Sequence, residues 1–131
     1  MAYLEEAIAE ARQAMLSRKK AMLAAYLIDA YADRLFAARN EPAGDVLAFR
    51  AELAAANPAL ALVLELVAGR AELVTEAVEV PLAEYGKLSV EDFMVSLYNQ
   101  HSVQRVRIVT ADARHDVHEV LEEAVRALRG Q

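Results

Sequence analysis

From Ala2 to Arg39 the chain runs without a proline or a glycine. Nothing in that stretch interrupts a helix, and apolar residues recur along it at helical spacing: Leu4, Ile8, Ala11 and Met15, then Met22, Tyr26 and Leu27. Lys19 falls where an apolar residue is due, so the stripe shifts face around Ser17–Lys20. A single helix over 2–39 would be roughly 50 Å long at about 1.5 Å per residue. That is long for a chain of 131 residues, which is sized for one domain over 1–131. The stretch therefore predicts either two helices with a break, or one helix packed against a second chain.

"NEPAG" at 40–44 is a stop, and Asp45 is placed to cap a second helix, "VLAFRAELAAA", with Val46, Phe49 and Leu53 on its buried face. Asn57 and Pro58 combine an N-cap with a first helical residue. The third helix, "ALALVLELVA", is apolar nearly all round and belongs in the middle of a core or under a partner. Its one charge, Glu65, is read as a carboxylate at the rim.

Residues 70–81 fit two patterns. Ala71, Val74 and Val78 continue a helical stripe, while Val78 and Val80 around Glu79 begin a strand. We expect a helix to about Thr75 and then a short strand, with Pro81 at its end. Ser89 with Asp92 resembles a capping pair that opens a helix with Val90, Phe93, Met94 and Leu97 on its apolar side. Residues 102–110 are the best strand, with Val106, Ile108 and Thr110 on one side and Arg105 and Arg107 on the other. The last helix is expected from about Ala113 to Arg129, ending at Gly130.

The fold class read from this is predominantly α within α+β: a bundle of three N-terminal helices, then a small strand–helix–strand–helix unit. Two strands alone make a poor sheet. They would either pair across a dimer, or the first would prove helical and the protein nearly all α.

Composition excludes several chemistries. There is no cysteine, hence no disulfide, zinc–cysteine cluster or thiol nucleophile. The formal net charge is −6, and basic residues are interleaved with acids except at "RKK" (18–20) and "RVR" (105–107), so no nucleic-acid partner is expected. Glu5, Glu6 and Glu10 suit neither a secretory signal nor a transit peptide. The longest apolar run, broken by Glu65, falls far short of the about twenty residues that span a bilayer. A cytoplasmic, soluble protein without a membrane partner is the expectation. With four unclustered glycines, there is no phosphate or dinucleotide loop.

Two stretches could carry chemistry. In "RHDVHEVLEE" (114–123), His115, His118 and Glu122 stand at i, i+3 and i+7, and Glu119 joins them, a set able to hold a divalent metal if the stretch is one helix. The same residues also make an ordinary solvated face: Arg114, His118, Glu122 and Arg126 form an i, i+4 ladder, and the order is not the H-E-x-x-H of zinc proteases. In "YNQHS" (98–102), His101 could act as a general base, although a turn after a helix accounts for the cluster equally.

The leading reading is an interaction or regulatory module that self-associates through its N-terminal helix, with contacts at Leu4, Ile8, Met15, Met22 and Tyr26, as a homodimer or with a protein partner. The alternatives are a small metal-dependent enzyme or metal-binding protein using His115, His118 and Glu122, and a small-molecule pocket near Tyr98 and His101.

Overall fold

The computed structural model describes residues 1–39 and 44–131, so the expected stop at "NEPAG" lies outside the described residues except for Gly44. The long proline-free stretch is broken. Helix α1 covers Ala2–Gln13 and α2 covers Arg18–Ala38. The break needs neither proline nor glycine: Ser17 takes an extended conformation and its hydroxyl accepts the Lys20 N–H, capping α2. The two helices pack against each other, which removes the length problem without a second chain.

Helix α3, Val46–Ala56, is capped as expected by Asp45, which accepts the Leu47 N–H, and it buries Phe49 and Leu53. Helix α4 covers Pro58–Val67 and buries Leu60, Val63 and Leu66. Asn57 precedes it, but its side chain makes no cap; its amide donates instead to the Leu53 carbonyl and closes the end of α3. Arg50 ties α3 to α2, donating to both the carbonyl and the carboxylate of Asp29 and to Asp33. Burial works against its charge, and the two carboxylates outweigh that and hold its pKa above the ordinary value.

Helix α4 ends at a Schellman turn, in which Gly69 takes a φ of +82° and Arg70 N–H reaches the Glu65 carbonyl at 2.9 Å. This turn corrects the expectation of a helix to Thr75. Strand β1 begins directly after it and covers Glu72–Glu79. Ala71, Val74 and Val78 fit a helical stripe by coincidence, because the alternating burial along β1 has period two. A 3-10 turn over Leu82–Lys87 leads to helix α5, Val90–Tyr98, capped by Ser89 through the Asp92 N–H as expected. Strand β2 covers Ser102–Val109 and pairs antiparallel with β1 from Glu72↔Val109 to Glu79↔Ser102.

The chain then departs from expectation again. Residues Arg114–Asp116 are a third strand, β3, paired antiparallel with β2 in the order β1-β2-β3. Helix α6 covers Val117–Arg129 only, because Asp116 is its cap and accepts the Glu119 N–H. The third strand is what makes the small sheet viable within one chain.

The fold is thus mainly helical with a small sheet. One cluster of buried residues joins Leu4 of α1, Ile28 of α2, Leu60 and Val63 of α4, Val106 and Ile108 of β2, and Leu121 and Leu128 of α6. Val106 and Ile108 bring the inner face of the sheet to the helices. On the other face, Glu76 pairs with Arg114 and Arg107, and Arg105 pairs with Asp92 of α5 at 3.0 Å. Helix α1 is held to α6 by Arg129–Glu5 and Arg12–Glu122. Among the described residues, no helix is long and apolar enough to cross a membrane.

Candidate functional site

The structure separates the histidines that the sequence groups together. His115 lies on β3 and His118 in the first turn of α6, so the helical i, i+3, i+7 relation never forms. His118 is 1% exposed, and its Nε2 lies 2.9 Å from the Met15 carbonyl oxygen. A carbonyl can only accept, so Nε2 carries the proton and donates. His118 therefore pins α6 to the break between α1 and α2. Glu122 turns toward Arg12 on α1, at 3.4 Å. His115 is half-buried beside Glu119 and Glu123 in a shallow hollow that also includes Pro58 and Leu62. Among the described residues, no group of three or more His, Asp or Glu side chains is placed to hold a metal ion.

His101 follows α5. Its Nδ1 is hydrogen-bonded to the Tyr85 hydroxyl, and the two rings meet edge to face with centroids 5.6 Å apart. Gln100 and His101 take φ of +54° and +65°, and His101 N–H reaches back to the Ser96 carbonyl, closing a Schellman turn with no glycine in it. The ring is exposed, and its neighbour Ser102 is the first residue of β2. Beside this turn lies an open cleft of about 400 Å³ whose lining includes Ala77, Val95, Tyr98, Asn99 and Gln104.

The residues expected at an interface fall into three groups. Leu4 belongs to the chain's own core, Ile8, Met15 and Met22 are half-buried, and Tyr26 is 50% exposed. Tyr26 marks a larger feature. Helix α2 buries Ala21, Ala24, Ala25, Ile28 and Ala32, mostly small side chains, and leaves Leu23, Tyr26 and Leu27 in solvent. These three line a groove of about 270 Å³ between α1 and α2, together with Ala7, Glu10 and Lys20.

Helix α5 is inverted more completely. Its one buried residue is Ser96, whose hydroxyl donates to the Phe93 carbonyl, and its polar Asp92 faces Arg105 on the sheet. Val90, Phe93, Met94, Val95, Leu97 and Tyr98 are all exposed, Val90 to 80% and Tyr98 to 82%. A surface helix ordinarily hides its apolar stripe and shows its polar one. The sequence places Val90, Phe93, Met94 and Leu97 on one face, but the face they share is the outward one. The usable signal is composition: six large apolar residues in nine positions are too many for one buried stripe.

Comparison with known protein families, with characterised proteins and with solved structures finds no match.

Proposed function

We propose that this protein is an interaction or regulatory module that works by self-association through its N-terminal helices. The supporting observation is the orientation of α2: alanines face inward, while Leu23, Tyr26 and Leu27 face outward around a groove. Large apolar side chains left together in solvent are the usual mark of a surface that another protein covers. The contact centres on Tyr26, joined by Leu23 and Leu27; of the other residues expected there, Ile8, Met15 and Met22 are half-buried and Leu4 acts as core rather than as contact.

Sedimentation analysis tests this directly. The wild-type chain is expected to shift from monomer toward dimer over the micromolar range, since an interface of ordinary size supports Kd values from about 1 μM downward. The double variant Leu23→Glu/Tyr26→Glu is expected to stay monomeric while keeping its circular dichroism spectrum, because both positions are solvent-facing. A wild-type chain that remains monomeric throughout, or a variant that associates as well as wild type, would overturn the reading.

A further inference from the structure

Two apolar surfaces stay uncovered by the chain itself, the outward side of α5 and the groove between α1 and α2, and they are complementary. On α5, Val90, Phe93, Met94 and Leu97 stand at i, i+3, i+4 and i+7, the spacing with which an amphipathic helix lies in an apolar groove. The groove presents Leu23, Tyr26 and Leu27 beside Lys20. On α2 the apolar step from Leu23 to Leu27 is about 6 Å, and Lys20 extends the groove to about 10 Å, the length of the Val90–Leu97 face.

The charges match as well. Between Ala14 and Leu27 the chain carries Arg18, Lys19 and Lys20 and no acid. Between Val80 and Gln104 it carries Glu84, Glu91 and Asp92 against the single cation Lys87. Asp92 is engaged with Arg105, but among the described residues Arg18, Lys19, Lys20, Glu84 and Glu91 are exposed and enter no ion pair. Glu10, on the α1 side of the groove, is the opposing charge there. Laying α5 parallel to α2 would turn the N-terminal end of α5, with Glu91 and the preceding Glu84, toward Arg18–Lys20 and bring Leu97 toward Leu27.

We infer that the occupant of the α1–α2 groove is helix α5 of a second copy of this chain, in a two-fold dimer where each copy's α5 seats in the other's groove. This rests on the self-association proposed above and names the partner surface. Pairing α2 with α2, or α5 with α5, would cover one apolar surface and leave the other bare. The reciprocal arrangement covers both and closes at two subunits, whereas the same contact without a two-fold axis would propagate into a chain.

The absence of cysteine makes cross-linking unambiguous. Leu23→Cys and Met94→Cys, each as a single substitution on differently tagged chains, are mixed and oxidised, so every disulfide formed is intermolecular. The expected result is a predominance of disulfides between the two tags. Disulfides only between like chains, with wild type still dimeric by sedimentation, overturn the exchange and leave self-association standing. A wild type that is monomeric overturns both.

A charge swap provides a second readout at exposed positions. Lys19→Glu/Lys20→Glu is expected to weaken dimerisation about tenfold, and adding Glu84→Lys/Glu91→Lys to the same chain to restore most of it. Failure of the second pair to rescue the first overturns the inference.

Discussion

His118 contributes to stability through the Met15 carbonyl, which it reaches across 103 positions of sequence. Replacing it with alanine removes that hydrogen bond, leaves the carbonyl without its partner and opens a cavity under α6, a combined cost of about 2–4 kcal/mol. His115→Ala, at a half-buried position on a short edge strand, is expected to cost under about 1 kcal/mol. Urea denaturation of both variants checks this, and equal losses would show that His118 is not the anchor described. The sequence grouped the two histidines by their spacing. What separates them is that α6 starts at Val117, capped by Asp116, rather than near Ala113.

Helix ends tell a similar story at the scale of elements. Helices α4 and α5 close with the same turn, but the first uses Gly69 at positive φ and the second uses Gln100. A side chain held in the left-handed region costs roughly 1 kcal/mol that glycine avoids. Gln100→Gly is therefore expected to raise stability by about 0.5–1 kcal/mol, measurable as a rise in Tm; a fall would mean that the Gln100 side chain contributes more than the strain costs. Elements with local markers were legible: the Asp45 and Ser89 caps, and the β-branched run of β2. The break after Gln13 was signalled only by the shift of the apolar stripe, because a serine cap leaves no trace as plain as proline. Strand β1 looks partly helical in the sequence because Val74 and Val78 satisfy both periods. The three residues of β3 are too few to show any period. The apolar set on α5 is plain in the sequence, but which way it faces depends on Arg105, which draws Asp92 inward from a different element.

For the whole molecule, the proposed dimer would link association to folding. If the dimer buries both apolar surfaces, the native state is stabilised by mass action, and Tm rises with protein concentration. Calorimetry over a hundredfold range of concentration is expected to show that rise in wild type and to lose it in Leu23→Glu/Tyr26→Glu. Salt acts on the same equilibrium. Facing exposed charges are screened over about 8–10 Å at physiological ionic strength, so dimerisation is expected to weaken several-fold between low and high salt. Tighter association in high salt would mean that apolar contact alone holds the subunits.

The packing of α1 beside α6 has a consequence for how the chain comes to be folded. During synthesis α1 emerges before α6, yet each forms part of the other's seat, through Glu5 with Arg129 and Arg12 with Glu122. Until α6 has left the ribosome, Leu4 lacks part of its socket and the Met15 carbonyl lacks its donor. The hairpin of α1 and α2 must therefore wait, with its apolar side uncovered, until α6 has been made, in the manner of chains whose decisive contacts join distant residues. Apolar helices left open in this way are prone to aggregate, and slowing translation lengthens their exposure.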